Sequence, residues 1–261
     1  MADQLLLIQA CPALTDFQWI NVESGDEYPS SDDFDEYRQG VVQDELDKVE
    51  ELEIAGTQTD SSIALAINNM PRIRSLILAK NGLGPLSFEA IQPSLSTLCR
   101  FDVQSHDITS AMIQTILCSC PVLEFFRAGV MIARDAIAED KDWACMSTLK
   151  VLSLSFRFES HETHLQDALF ARLARLTRLE QLIMHEPCTE FEGEFGLRLS
   201  LEQGFGRLST LTGMKFLSTI DDETQTLGTE EVEWMRMHWP DLITFCSYTS
   251  QGDSAWERIL E

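Results

Sequence analysis

The chain has 261 residues, 44% of them hydrophobic, enough to bury the core of one large or two ordinary domains, which excludes disorder throughout. Its formal charge of −24 argues against nucleic acid or an anionic membrane surface as partner, since both are held by clustered Lys and Arg. No apolar run approaches the ~20 residues that span a bilayer, and seven scattered cysteines point to reduced thiols in the cytoplasm or nucleus rather than to a secreted disulfide framework.

In chain order, Leu5 to Ala10 has helical spacing, and Leu14-x-x-Phe17-x-Trp19 predicts a first strand. Residues Glu23 to Glu50 hold eleven Asp or Glu against Arg38 and Lys48. Low hydrophobicity and self-repulsion predict an acidic, disordered insertion over 23–48. A solvated loop is the plain reading of that segment. The sharper one makes it a docking arm for a basic partner, or a switch through Ser30, which has Asp33 three residues on.

The clearest motif comes next: Ile73-x-x-Leu76-x-Leu78-x-x-Asn81-x-Leu83. Looser copies begin at Val49 (Leu52, Ile54), Leu98 (Phe101, Val103), Leu123 (Phe126, Ala128), Leu149 (Leu152, Leu154), Leu179 (Leu182, Met184), Leu211 (Met214, Phe216) and Leu242 (Phe245). With the copy at Leu14 these make nine, and from Val49 onward their starts lie 24 to 32 residues apart. Proline two residues ahead of Leu14, Ile73, Leu123 and Leu242 stops whatever helix precedes, because it lacks an amide donor and drives the preceding residue out of the α region.

Between the strands the spacing turns helical. Met112, Ile113, Ile116 and Leu117 follow a Thr109 N-cap, and Leu165, Leu169, Phe170, Leu173 and Leu176 share one face. Asp60 and Thr229 are expected to cap two further helices, Glu230 and Glu231 complementing the second helix dipole. At the end, Trp256, Ile259 and Leu260 have the spacing of a capping amphipathic helix. A period of this kind predicts an α/β leucine-rich-repeat solenoid, a single domain over 1–261, with a parallel concave sheet and convex helices in a horseshoe. Asn81 is expected to bond loop backbone, a role Thr57 and His106 partly imitate.

Side chains alternate along a strand, so the residues flanking the core leucines face the concave surface. That row holds Asp16, Gln18, Glu51 and Glu53, then Ser75, Ile77, Arg100 and Asp102. It continues through Phe125, Arg127, Val151, Ser153, Gln181, Ile183, Lys215, Leu217, Thr244 and Cys246. Arg100, Asp102, Phe125, Arg127, Ser153, Gln181, Ile183 and Lys215 are the candidate protein-binding residues. Phe125, Arg127 and Arg100 lead because aromatic and Arg side chains concentrate binding energy.

Catalytic and cofactor chemistry finds little support. Gly82-Leu83-Gly84 is followed by Pro85 and lacks a P-loop lysine, and no Gly-x-Ser-x-Gly elbow occurs. His161-x-x-His164 and His185-x-x-Cys188 have the spacing of zinc ligand pairs, against the plainer reading of chance placement. Cys11, Cys118 and Cys120, like Trp143, Trp234 and Trp239, read as packing residues. No enzyme, cofactor or metal is expected.

Three stretches carry a resemblance: Leu117-Cys118-Ser119-Cys120-Pro121-Val122-Leu123, Asp142-Trp143-Ala144-Cys145 running to Leu152, and Glu231-Val232-Glu233-Trp234-Met235 running to Leu242. In them the chain resembles the repeat region of fungal F-box-like leucine-rich-repeat proteins. The resemblance implies a repeat domain that recruits a target protein to a ubiquitin ligase, and an F-box that grips the Skp adaptor of the cullin. No Leu-Pro-x-Glu start precedes the first repeat, so the expectation is an F-box lost or lying upstream. The alternatives are an acidic scaffold for basic partners such as histones and a leucine-rich GTPase activator.

Overall fold

A computed structural model describes residues 16–20, 48–55, 58–79, 82–103, 108–138, 142–159, 161–184, 195–219 and 227–247. The chain packs as two compact units, residues 1–105 and 106–261. The repeat read over 1–261 is therefore described in two parts. The acidic segment with Ser30, the N-terminal Leu5 to Ala10, Thr57, Asn81, His106 and the C-terminal Trp256, Ile259 and Leu260 lie outside the described residues.

In the first unit the strands are β1 (Asp16–Ile20), β2 (Glu51–Ala55), β3 (Ser75–Ala79) and β4 (Arg100–Val103), each parallel to the one before it. Parallel neighbours need a crossover, supplied here by helices α1 (Asp60–Asn68) and α2 (Pro85–Ile91). The second unit opens with α3 (Ser110–Ser119) and carries β5 (Phe125–Ile132), β6 (Val151–Arg157), β7 (Gln181–Ile183), β8 (Phe216–Thr219) and β9 (Thr244–Ser247), again parallel in chain order. Its crossovers are α4 (Ala133–Ile137), α5 (Leu165–Leu173), 3₁₀ turns at Leu201–Gln203 and Phe205–Thr210, and α6 (Thr229–His238). Each unit is a solenoid-like α/β stack of parallel strands and returning helices.

One backbone device recurs at every described step within a unit. The carbonyl ahead of each strand accepts two consecutive amides of the next: Glu50 O from Arg74 and Ser75, Arg74 O from Cys99 and Arg100, Glu124 O from Lys150 and Val151. Lys150, Glu180 and Lys215 repeat it toward β7, β8 and β9. The apolar positions follow the same beat. Ile73, Leu76 and Leu78, Leu98, Phe101 and Val103, and Leu149, Leu152 and Leu154 are all fully buried. Alternation sends these inward and their neighbours to the opposite face.

The repeat placed at Leu211 needs correction. Leu182 pairs in register with Leu217, so the triplet is Met214, Leu217 and Thr219, all buried, and the unit begins three residues later than the sequence suggests. Both Leu211 and Met214 are buried apolar residues, so pattern alone aligns either one. Leu217 thus belongs to the core, Phe216 takes the outward position, and Lys215 lies just ahead of the strand.

The helix starts need the same treatment. Thr109 caps α3 as expected, its hydroxyl accepting from Met112 N at 3.3 Å. For α1, however, the cap is Thr59, which accepts from Ser62 N at 3.2 Å. Asp60 instead reaches onward within the first unit and caps α2, accepting from the amides of Leu86 and Ser87 at 2.9 Å each and from Ser87 Oγ at 2.5 Å. Helix α2 begins Gly84-Pro85 and has no side-chain cap of its own. Gly84 is required there because a Cβ would overlap the Asp60 carboxylate. At α6 the cap residue is Gly228 rather than Thr229, and Glu231 accepts from Gly228 N at 3.0 Å and from Leu201 N at 3.2 Å.

The tryptophans pack as expected. Trp143 and Trp239 are each 1% exposed, and their indole N–H groups donate to Gln114 Oε1 (3.2 Å) and Leu208 O (3.3 Å). Trp234 is half-buried, its ring 4.8 Å from Phe205 and 5.2 Å from Trp239.

Candidate functional site

The outward face of the strands is the surface singled out by the sequence, and its chemistry differs between the units. In the first unit Gln18, Glu53, Ile77 and Asp102 share one register row, and Asp16, Glu51, Ser75 and Arg100 the row beside it. Glu51 and Glu53 are half-buried, while Asp102 is 3% exposed and holds Arg100 Nη2 at 3.0 Å. Asp102 is therefore a positioning group under Arg100 rather than a surface contact, a correction to its place among the binding candidates.

In the second unit the first row is Phe125, Val151, Gln181, Phe216 and Thr244. Gln181 is exposed and the other four are half-buried. The row above runs Arg127, Ser153, Ile183, Ser218 and Cys246. Arg127 lies over the Phe125 ring, 5.5 Å from its centroid, a cation–π arrangement. Ser153 is 1% exposed, so it too is corrected as a contact residue. Its register partners, Arg127 and Ile183, are larger residues on strands only ~4.8 Å away.

Just below these rows runs a charge ladder that strand alternation does not reveal. Glu124, Lys150, Glu180 and Lys215 precede β5, β6, β7 and β8, with Lys150 to Glu124 and Lys215 to Glu180 each 2.7 Å. The hydrogen bond from Lys215, with the charges of Lys215, Lys150 and Arg178, outweighs burial and holds the Glu180 carboxyl below its usual range. Lys215 belongs to this ladder, so of the eight candidates Phe125, Arg127, Gln181 and Ile183 stand on the second unit's accessible face and Arg100 on the first unit's. Phe216 was missed because the repeat was aligned on Leu211. Counting from Met214 places it in the Phe125 row.

Of the residues with zinc-pair spacing, only His161 and His164 are described. His161 groups with Glu159 and Glu162 in a cluster that does not include His164, and His185 and Cys188 lie outside the described residues. The cation facing these carboxylates is Arg134, 3.1 Å from Glu159 and 3.8 Å from the buried Glu162. Glu162 also accepts from Glu159 N at 2.9 Å. An internal guanidinium already balances this turn, which reads as a structural tie.

The buried thiols are poor nucleophiles. Burial and the neighbouring Cys145 push Cys120 up to about 12, and burial pushes Cys145 to about 12 despite a backbone hydrogen bond that lowers it. No helix among the described residues is long and apolar enough to cross a membrane. No family model matches the chain, and no curated protein is significantly similar to it.

Proposed function

We propose that the chain is a leucine-rich-repeat solenoid of about nine repeats, curved into a horseshoe, that acts without catalysis as a protein-recognition scaffold in the cytoplasm or nucleus. The observation that carries this reading is the outward row from Phe125 to Thr244, in which apolar and aromatic side chains stand half-exposed on a rigid parallel stack. Half-buried aromatics on a pre-formed face give contact area at little entropic cost. The repeat type rests on the L-x-x-L-x-L triplets and on the shared backbone junction. The resemblance to fungal F-box-like proteins extends the proposal to target selection for a Skp–cullin ubiquitin ligase, which is fold-level analogy.

Affinity capture of the intact chain from a fungal lysate, read by mass spectrometry beside a Phe125→Ala, Arg127→Ala double variant, tests both levels. Recovery of the Skp adaptor and cullin supports the ligase assignment, and a target lost only from the variant supports the strand face. Neither outcome, with basic proteins that wash off in salt, favours the second reading: an acidic scaffold for basic partners, which draws its support from Glu51 and Glu53 on the first unit.

A further inference from the structure

Beyond target recognition, we propose that the second unit pairs with a second copy of this chain, across a two-fold axis that runs along the strands between β6 and β7. Two lines of side chains carry this. Glu124, Lys150, Glu180 and Lys215 alternate in charge and are tied in succession, the carbonyl of each accepting the amides of the next in line and of the residue after it. Directly after each stands its first-row neighbour, Phe125, Val151, Gln181 or Phe216, and these four are in register. Two Glu and two Lys leave this strip with no net charge, in a chain of −24.

Half a turn about that axis lays each line over its own copy and reverses its order. Glu-Lys-Glu-Lys then meets Lys-Glu-Lys-Glu, so Glu124 faces Lys215 of the second copy and Lys150 faces Glu180 of the second copy. The same rotation sets Phe125 against Phe216 of the second copy, an aromatic contact at each end of the strip. The pairs within one chain do not exhaust these groups. An ammonium has three donors and a carboxylate two oxygens, of which the 2.7 Å pairs join one each, and the four side chains stay 37 to 53% exposed. A partner of uniform charge meets half of this ladder with like charge, whereas a second copy matches every position. Four strands ~4.8 Å apart make a strip only roughly 14 Å long, and the net charge of the chain opposes approach, so a dissociation constant of about 10 to 100 μM is expected at ~0.15 M salt.

Sedimentation equilibrium of the intact chain over about 1 to 300 μM, at ~0.15 M salt, tests this beside three variants. Lys150→Glu with Lys215→Glu makes the ladder uniformly acidic, and Glu124→Lys with Glu180→Lys makes it uniformly basic. All four substitutions together invert the ladder and keep each pair within the chain. Circular dichroism and urea unfolding check that every variant folds. The expected results are a dimer of the native chain, self-association weakened about tenfold or more in the acidic and basic variants, and its recovery when those two are mixed. The inverted variant should self-associate as the native chain does, yet form few mixed dimers with isotope-labelled native chain in native mass spectrometry. Because it keeps the alternation, its two results stand even if a double variant fails to fold. A native chain that stays monomeric, a dimer insensitive to the double variants, or mixed dimers of native and inverted chains in statistical proportion overturns the proposal. Each of these outcomes leaves recognition of a target by the strand face standing.

Discussion

Replacing Asp60 with alanine removes a helix cap that belongs to a different helix from the one Asp60 sits in. Helix α2 opens on Gly84-Pro85, so it has no cap side chain, and Asp60 accepts the first-turn amides of Leu86 and Ser87. Ser87 is fully buried, and water is not at hand to replace the lost acceptor, although its hydroxyl keeps Gly84 O at 3.2 Å. One lost cap costs about 1 kcal/mol and an orphaned buried amide about 1 to 3, so Asp60→Ala should destabilise the first unit by roughly 2 to 4 kcal/mol. Asp60→Asn keeps an acceptor and loses the charge, for about 1 kcal/mol.

The assay is urea unfolding of the intact chain followed by circular dichroism, with hydrogen exchange of residues 85–91 to localise the effect. Burial raises the Asp60 carboxyl, but hydrogen bonds from Ser87, Leu86 and Gly84 outweigh it and hold the group below its usual range. A depressed carboxyl contributes its full stabilisation above the unfolded value near ~3.9, and loses it as pH falls through the lower folded value. The gap between native and Asp60→Ala proteins should therefore be constant above about pH 5 and narrow as pH falls through the lowered folded value, the protonated carboxyl still accepting as Asp60→Asn does. A loss under about 0.5 kcal/mol at neutral pH, or a gap that does not narrow in acid, would refute the cap from Asp60 to α2.

Four other outcomes follow from the same geometry. Gly84→Ala should mimic Asp60→Ala, because the added Cβ displaces the Asp60 carboxylate, and the double variant should cost little more than either alone when unfolding free energies are compared. Trp143→Ala, which empties a site 1% exposed and strands Gln114 Oε1, should cost about 3 to 5 kcal/mol in the same urea experiment. Lys150→Glu sets three acids in a row between Glu124 and Glu180. Because these groups are exposed, it should cost no more than about 1 kcal/mol and less in high salt. Alkylation at about pH 8, mapped by mass spectrometry, should reach Cys99 and Cys118 well before Cys120 and Cys145, whose thiols titrate near about 12.

Much of the second unit's outward strand face is legible from alternation, since Phe125, Arg127, Gln181 and Ile183 all follow by parity from their leucines. Parity gives direction but not depth. Asp102 and Ser153 alternate outward like their neighbours and are nevertheless buried, Asp102 beneath its ion pair with Arg100 on the same strand. Phe216 and Leu217 exchange faces because two apolar residues three apart, Leu211 and Met214, both satisfy the start of the motif. Only pairing with β7 distinguishes them.

By itself the sequence determined the parallel order of strands and the inward apolar triplets, because hydrophobic periodicity is a local property written residue by residue. It also determined the stops before Ile73, Leu123 and Leu242, since proline's missing amide acts wherever it stands. Tertiary structure alone decided the links between successive strand–helix segments within each unit. Asp60 caps a helix that begins 25 residues later, Gln114 holds Trp143, and Glu124, Lys150, Glu180 and Lys215 stand in line. Such pairings join residues a full repeat apart, and stacking, which sets neighbouring strands ~4.8 Å apart, is what brings them within reach.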